Sequence, residues 1–286
     1  MLDVAIIGGG PAALSAALNC RQRNKTVCIF GRNIESSLLF SAEEVDNYLG
    51  MPNLSGEDML NQFHAHAVKN GVEFNECRVT QILNMGEHYM INAENNFFEA
   101  KAIILTTGLN KSKGIAGEMD YLGKGVSYCA TCDGMLYRNK KVIVVSENEE
   151  GEEEANFLAD ICKEVLYVPL YKNIAHLKDH VFVLHEKPKA VIGEGDKVKA
   201  LETEKEMIDC DGIFFAKNTM PPDSLIFGLK TVGNVIEVDR RMATNLPNVY
   251  AAGDCTGAPY QIAKAVGEGL VAALSAVSDV DKMGKK

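Results

Sequence analysis

Short apolar runs alternate with amphipathic stretches along this chain. Leu2–Ile7 and Thr26–Phe30 carry β-branched residues and predict buried strands, and residues 14–18 between them have helical spacing. Residues 55–70 predict an amphipathic helix, and Ala102–Leu105 predicts a further buried strand. This order of elements is typical of an α/β fold.

The same order recurs in the second half of the chain. A strand at Lys141–Val145 is followed by a helix at Glu152–Lys163 and by strands at Glu164–Val168 and Asp211–Ala216. The pattern closes with a strand at 248–252, a long helix of small and apolar residues at 258–276, and a short basic tail after 279 that we expect to be frayed.

Two stretches, 109–114 and 217–223, read as hinges between the repeats. The repeat therefore predicts two dinucleotide-binding domains of the Rossmann type, with the second inserted into the first. The expected boundaries are 1–110 and 217–286 for the first domain and 111–216 for the second.

The turn after the first strand has a composition suited to binding a phosphate. Gly8, Gly10 and Ala13 occupy the fixed positions of a G-x-G-x-x-A motif, with Pro11 and Ala12 before the last of them. Small residues let the backbone approach a pyrophosphate, and a helix N-terminus supplies unpaired N–H groups. A Gly-rich turn without a ligand is the alternative, and the flanking strand and helix argue against it.

Acidic residues near strand ends are candidates for hydroxyl contacts. The acid that usually ends the second strand is absent, because Gly31 and Arg32 stand there, and Glu35 is the nearest candidate for a ribose. Gly253-Asp254 ends the strand that precedes the last helix. Asp254 could bind a polyol hydroxyl of a cofactor or could simply cap the helix, and the N-terminal motif favours the cofactor.

Cys129 and Cys132 form a C-x-x-C motif that is directly followed by Asp133. Such a pair can cycle between a disulfide and a dithiol, and an adjacent acid could hold or deliver the proton. Half of a zinc site and two inert thiols are the alternatives. The other six cysteines form no second C-x-x-C motif and no histidine pair lies nearby, so redox chemistry is favoured.

The turn of the second repeat has the wrong charge for a phosphate. Six glutamates stand between Ser146 and Glu154. One carboxylate about 4 Å from a phosphate charge costs roughly 1 kcal/mol in water and about 4 kcal/mol at a partly shielded site. Pro169–Asn173 also offers no arginine cluster for a 2′-phosphate. We therefore predict that the second domain keeps the fold but binds no nucleotide.

Composition narrows the function classes. The 286-residue chain is 47% hydrophobic and 24% charged, as in ordinary globular proteins, and its net charge of −10 argues against nucleic acid or an anionic membrane as a partner. No apolar run approaches the roughly 20 residues of a membrane span. Eight cysteines without a pattern indicate reduced thiols, hence a cytoplasmic location.

These motifs resemble those of the low-molecular-weight thioredoxin reductases, which are flavoproteins with two dinucleotide-binding domains. The residues that carry the resemblance follow the family order over nearly the whole chain, at 8–12, 44–48, 106–108, 129–134 and 251–254. The resemblance implies FAD in the first domain, thioredoxin as the substrate, a homodimer and no metal site.

The resemblance also implies residue roles. Cys132 would be the thiol closest to the flavin, Cys129 the thiol that attacks the thioredoxin disulfide, and Asp133 the acid that serves this pair. Asp254 would bind the ribityl chain. The other expected FAD contacts are Gly8, Gly10, Pro11, Ala12, Ala13, Glu35, Asn47, Thr107, Gly108, Gly253, Gln261 and Ile262.

The chain departs from the NADPH-dependent members at the second Gly-rich turn, at the basic segment after the next strand, and at a Gly-Gly-Gln segment that corresponds to residues 35–38. The first two losses resemble the ferredoxin-dependent flavin thioredoxin reductases, which implies ferredoxin as the electron donor. A ferredoxin at about −400 mV and a thioredoxin at about −270 mV leave about 130 mV, or roughly 6 kcal/mol for two electrons.

Because ferredoxins are acidic, docking needs a local basic surface. Basic residues that cluster in the sequence are candidates for it, but they are explained equally well as ordinary solvated side chains. The candidates by sequence are Lys111, Lys113, Arg138, Lys140 and Lys141. Another donor, either a different reductase or an unconventionally bound nicotinamide, is the alternative function. A degenerate flavoprotein that only binds a partner is disfavoured, because the cysteine pair and its acid are kept.

Overall fold

The computed structural model describes residues 1–94, 96–109, 114–217, 221–233 and 235–283. The strands in this part of the chain are β1 Leu2–Ile7, β2 Val27–Gly31, β3 Glu73–Glu76, β4 Val79–Asn84, β5 Tyr89–Ala93, β6 Asn96–Leu105, β7 Val126–Ser127, β8 Lys141–Ser146, β9 Glu164–Pro169, β10 Val181–Val183, β11 Pro188–Glu194, β12 Lys197–Thr203, β13 Met207–Asp209, β14 Gly212–Ala216, β15 Thr231–Val232, β16 Val235–Ile236 and β17 Val249–Ala251. The helices are α1 Pro11–Arg21, α2 Gly56–Lys69, α3 Ala130–Asp133, α4 Glu150–Ala159, α5 Pro222–Leu225 and α6 Ile262–Met283.

The chain divides into two compact units. The first unit comprises Met1–Asn110 and Pro221–Lys286, and the second comprises Lys111–Met220. Among the described residues, no helix combines the length and the apolar character that crossing a bilayer requires.

The sheet of the first unit places four strand ends at one edge. Its described strands run in the order β3-β2-β1-β6-β5-β4, with β17 also pairing β6. Strands β1, β2, β6 and β17 are parallel. Ile7 at the end of β1 lies opposite Phe30 of β2 and Leu105 of β6, and Leu105 lies opposite Ala251 of β17. Because these apolar ends are in register, the loops that follow them meet at the same edge, where α/β sheets bind ligands.

Small side chains let α6 pack closely on α1. A Cβ at Gly269 would lie 2.3 Å from the carbonyl oxygen of Ala12, and Ser15 Oγ donates to the Val266 carbonyl at 2.7 Å. The predicted helix at 258–276 therefore exists, but it begins at Ile262 and continues to Met283.

The expectation of a frayed tail after residue 279 is wrong as far as Met283. Asp279 accepts hydrogen bonds from Tyr250 at 2.7 Å, Arg241 at 2.8 Å and Lys282 at 2.7 Å. Burial opposes ionisation of Asp279, but these donors outweigh it and lower its pKa to about 2. The contacts with Tyr250 and Arg241 tie the last turns of α6 to the rest of the first unit.

The second unit has a parallel sheet and an antiparallel sheet. Its described strands form a five-stranded sheet in the order β10-β9-β8-β14-β7 and a three-stranded sheet in the order β11-β12-β13. Val142, Val144 and Phe214 are fully buried between the parallel strands and α4. Helix α4 ends at Ala159 rather than at Lys163 as predicted, because Lys163 N already bonds to the backbone before β8.

Candidate flavin site and redox pair

Three backbone segments converge at the carboxyl edge of the first sheet. Gly8 has a φ of +120°, and a Cβ there would lie 2.3 Å from the Thr106 carbonyl oxygen, so only glycine fits. A Cβ at Gly31 would lie 3.0 Å from Gly8 C and from Gly9 N. The ends of β1, β2 and β6 thus meet around the Gly-rich turn.

The N-terminus of α1 is open to an anion. Gly10 is the N-cap residue, Pro11 is the first helical residue, no side chain caps the helix, and its first turn carries no acid. The first N–H groups and the positive end of the helix dipole are therefore available to a phosphate. Ala12 and Ala13 are buried and keep side-chain bulk away from this end. These features fit the pyrophosphate of a dinucleotide such as FAD.

Two of the predicted flavin contacts meet each other. Asn47 Nδ2 donates to Gln261 Oε1 at 3.0 Å, although 213 residues separate them in the sequence, and both are exposed. Ile262 follows and is half-buried against the core of the first unit. Thr107 and Gly108 follow β6, and Gly108 has a φ of +70°. Their contacts with FAD stay predictions.

Glu35 is exposed in a short 3-10 turn, Ile34–Ser36, and its ribose contact stays a prediction. Two residues that were not among the expected FAD contacts lie beside the Gly-rich turn. A Cβ on Gly9 would be 3.3 Å from the Arg32 carbonyl oxygen, and a Cβ on Gly10 would be 3.8 Å from Ser37 Oγ. Only their position after β2 could have indicated them.

Asp254 begins a 3-10 turn, Asp254–Thr256, and does not cap α6, which starts at residue 262. The alternative of a simple cap for the long helix is therefore wrong. Gly253 has a φ of +88°, and a Cβ there would lie 3.0 Å from Ala12 Cβ, so this turn packs against the start of α1. Burial raises the pKa of the Asp254 carboxyl, Lys264 opposes the shift, and Glu268 adds to it.

An ion pair on α6 holds the Asp254 turn and was not predicted from the sequence. Glu268 Oε2 accepts from the Gly253 N–H at 2.9 Å and from Thr256 Oγ1 at 2.8 Å. Lys264 Nζ donates to the carbonyls of Gly253 at 2.8 Å and Gly257 at 2.6 Å, and lies 3.1 Å from Glu268. The i, i+4 spacing of the two charges was the only signal.

We expect Lys264→Met to weaken FAD binding about tenfold, or about 1.4 kcal/mol. The variant loses the three charge-assisted bonds from Lys264 Nζ to the turn that carries Asp254 and the ion pair with Glu268, but it keeps the aliphatic stem. Quenching of flavin fluorescence on titrating apoprotein measures the affinity. Lys282→Met, an exposed lysine on the same helix, is the matched control. Equal FAD affinities for the two variants would contradict the prediction.

In the second unit, Cys129 and Cys132 are joined in a disulfide at the start of α3. Cys129 is half-buried and its Sγ accepts the Cys132 N–H at 3.2 Å, while Cys132 is exposed. Asp133, at the end of α3, accepts a hydrogen bond from Ser127 Oγ at 2.7 Å. This arrangement matches the redox interpretation of the motif and not two buried inert thiols.

The remaining six cysteines are poor nucleophiles. Burial raises the thiol pKa to about 12 at Cys20, Cys77 and Cys210, and to about 11 at Cys28, Cys162 and Cys255. These thiols stay protonated at neutral pH, so they are unreactive. Thiol chemistry is therefore concentrated at residues 129 and 132.

A buried ion pair contacts the residue that precedes the redox pair. Glu118 is 1% exposed and Lys217 is 3% exposed, and the Lys217 ammonium contacts Glu118 Oε1. The same oxygen accepts a hydrogen bond from the hydroxyl of Tyr128, the residue before Cys129. Glu118 Oε2 accepts from the Ile115 N–H at 3.1 Å, so both carboxylate oxygens are satisfied. This cluster was not predicted from the sequence, because its two charges lie 99 positions apart.

The corresponding nucleotide position of the second unit is filled by the chain itself. Glu152, in the first turn of α4, is 1% exposed. Its carboxylate accepts from the Tyr171 hydroxyl, from the Ala175 N–H at 3.2 Å and from the His176 N–H. Burial opposes ionisation, but these donors outweigh it, so the pKa of Glu152 lies below its ordinary value. The segment 171–176 is thereby bound to the helix start.

The β8–α4 turn is also closed sterically. A Cβ on Gly151 would lie 2.2 Å from Ser146 Oγ and 3.0 Å from the Ala216 side chain. Ser146 Oγ donates to the Asn148 carbonyl at 2.5 Å and accepts from the Asn148 N–H at 3.2 Å. The turn satisfies its polar groups internally, where a phosphate-binding turn would present them to a ligand.

The basic candidates for docking are only partly available. Arg138 and Lys140 are exposed, but Lys141 Nζ pairs with Glu164 at 2.9 Å. Lys111 and Lys113 lie outside the described residues.

Fold and site together define a disulfide oxidoreductase built on dinucleotide-binding units. A family model described as "Pyridine nucleotide-disulphide oxidoreductase" matches residues 2–269, and the chain belongs to this family. It is a flavin disulfide oxidoreductase of the thioredoxin reductase type and binds FAD. The predicted α/β class with two Rossmann-like domains is confirmed.

Named relatives agree with this assignment. A thioredoxin reductase of Helicobacter pylori is 32% identical, over 97% of this chain and 98% of the relative. A crystal structure of a ferredoxin-flavin thioredoxin reductase from Clostridium acetobutylicum is 41% identical with a TM-score of 0.89, over 100% and 99% of the two chains. The atypical thioredoxin reductase TRi from Desulfovibrio vulgaris Hildenborough is 29% identical with a TM-score of 0.75, over 99% of both chains. The resemblance predicted from the motifs is confirmed.

Proposed function

We propose that this enzyme reduces thioredoxin through Cys129 and Cys132 with electrons from reduced ferredoxin. The observation that carries the choice of donor is the buried Glu152 carboxylate. It occupies the N-terminal turn of α4 and binds the backbone of segment 171–176. The likeness to a ferredoxin-flavin thioredoxin reductase over the full chain supports the same donor.

NADPH binding at this position would have to overcome two costs. The dinucleotide pyrophosphate would face the acids Glu150 and Glu153 of the same first turn, each costing about 1–4 kcal/mol at about 4 Å. It would also have to displace the contacts between Glu152 and the loop, leaving buried polar groups unpaired at about 1–3 kcal/mol each. The few N–H bonds of a phosphate turn do not offset this sum.

The two units have different roles in this reaction. The first unit, with the open N-terminus of α1, the Asp254 turn and the Asn47–Gln261 pair, holds FAD, which supplies a carrier that takes single electrons and delivers a pair. The second unit holds the disulfide. Cys129 attacks the thioredoxin disulfide, Cys132 resolves the mixed disulfide, and Asp133 moves the proton. We place this exchange in the cytoplasm and expect a homodimer.

An anaerobic titration of the visible flavin band tests the donor. Reduced ferredoxin should bleach the band of the holoenzyme within seconds, while NADPH and NADH in excess should leave it unchanged over minutes. Dithionite defines the fully reduced spectrum. A Cys129→Ser, Cys132→Ser double variant serves as the control, because its flavin should bleach with ferredoxin without passing electrons on. Rapid bleaching by NADPH would refute the proposal and make the nicotinamide donor correct.

A further inference from the structure

Ser127, at the end of β7, lies between the redox pair and its acid. Its hydroxyl oxygen is 2.7 Å from Asp133 Oδ2 and 3.3 Å from the Cys129 carbonyl oxygen, and it accepts the Cys129 N–H at 3.0 Å. The residue is 4% exposed. Asp133 N also donates to the Cys129 carbonyl at 3.2 Å, so the cysteine and the acid share one hydrogen-bonded ring.

The hydroxyl of Ser127 can satisfy both protonation states of Asp133. A hydroxyl has one proton to donate and can accept two hydrogen bonds. When Asp133 is ionised, the Ser127 proton points to Oδ2, where the bond is charge-assisted. When Asp133 is protonated, it can donate to Ser127 Oγ, and the Ser127 proton can turn to the Cys129 carbonyl. Neither state leaves the buried hydroxyl without a partner.

We propose that Ser127 is a positioning residue that holds Asp133 beside the disulfide for proton transfer. This inference rests on the proposed exchange with thioredoxin but not on the identity of the electron donor. A residue that only caps the Cys129 turn would need the bond to the Cys129 N–H alone. The shorter contact to the Asp133 carboxylate, at 2.7 Å, is what points to a role through the acid.

The Cys129 thiol gives its proton to Asp133 and, as the thiolate, forms a bond to one sulfur of the substrate disulfide. The sulfur–sulfur bond of the substrate breaks, and the leaving thiolate takes this proton from Asp133. The Cys132 thiol then gives its proton to Asp133 and attacks Cys129 Sγ, which releases the second substrate thiolate, and this takes the proton from Asp133. Two electrons and two protons pass from the enzyme dithiol to the substrate disulfide.

Single-turnover reduction of thioredoxin tests the role of Ser127. The holoenzyme is reduced with dithiothreitol, freed of reductant anaerobically and mixed with oxidised thioredoxin, and the appearance of substrate thiols is followed. We expect Ser127→Ala to slow the exchange about tenfold and Asp133→Asn to slow it further. The double variant should be no slower than Asp133→Asn alone, because the serine acts through the acid. Ser127→Thr, which keeps the hydroxyl, should restore the rate to within about threefold.

Two results would overturn the inference. One is a double variant in which the effects of Ser127→Ala and Asp133→Asn multiply, since a merely structural serine acts independently of the acid. The other is a Ser127→Ala rate equal to that of the native enzyme. Both readings use Ser127→Ala, so they stand even if the threonine variant does not fold. Because dithiothreitol supplies the electrons, neither depends on whether ferredoxin or NADPH reduces the flavin.

Discussion

Replacing Lys217 with methionine will lower the free energy of unfolding of the second unit by about 3–5 kcal/mol. In the described part of the chain, the ammonium of Lys217 is the only positive charge in contact with the buried Glu118 carboxylate. Methionine matches the aliphatic stem of lysine but carries no charge. The buried Glu118 carboxylate then keeps only its hydrogen bonds from the Tyr128 hydroxyl and the Ile115 N–H. Removing one partner of a buried pair costs more than the pair contributes, because the remaining charge keeps its desolvation penalty.

Denaturant unfolding of the holoenzyme, followed by circular dichroism, measures the loss. Lys124→Met is the matched control, because Lys124 and Asp196 form an exposed pair at 3.0 Å in the same unit, and it should cost less than about 1 kcal/mol. The double variant Glu118→Gln, Lys217→Met should recover part of the lost stability, since it leaves no unpaired charge. If Lys217→Met is no more destabilised than Lys124→Met, Glu118 does not depend on Lys217 for its burial, and the prediction is wrong.

What the sequence could predict was local. Short sequence patterns were enough to identify the chemistry of three features: the Gly-rich turn at Gly8, the strand-end Asp254 and the C-x-x-C motif. Lys264 and Glu268 hold the Asp254 turn from a helix that begins several residues later, and the sequence shows them only as an ordinary i, i+4 pair. Residues that position a site act through contacts that a pattern does not record.

For the β8–α4 turn, the charge could be predicted from the sequence but the contacts of its side chains could not. Counting its glutamates was enough to predict that a phosphate is disfavoured. That Glu152 points inward and binds the segment 171–176 could not be predicted, because this depends on the Tyr171 hydroxyl and on two backbone N–H groups about twenty residues away. The antiparallel strands β11–β13 were also missed, although Gly195, with a φ of +62°, marks the turn between the first two.

Cys132→Ser will lower the rate of turnover with thioredoxin by about three orders of magnitude. The same variant will trap thioredoxin in a covalent complex through Cys129. Cys129 Sγ accepts the Cys132 N–H at 3.2 Å, and this donor stabilises a thiolate at residue 129. The serine variant keeps this N–H but has no second thiol to release the mixed disulfide. Cys129→Ser should lose turnover equally and trap nothing. Non-reducing electrophoresis displays the complex when the thioredoxin lacks its second cysteine and its first carries a disulfide-linked thionitrobenzoate, which the Cys129 thiolate displaces.

Flavin reduction should be unchanged in both variants, which separates loss of thiol exchange from loss of FAD. Cys162→Ser is the matched control, because Cys162 is half-buried in the same unit and burial raises its pKa to about 11. It should turn over at the native rate. Cys132 is the more exposed residue of the pair, so the opposite outcome has a clear meaning. If Cys129→Ser is the variant that traps thioredoxin, exposure rather than the N–H contact selects the attacking thiol, and the roles of Cys129 and Cys132 are reversed.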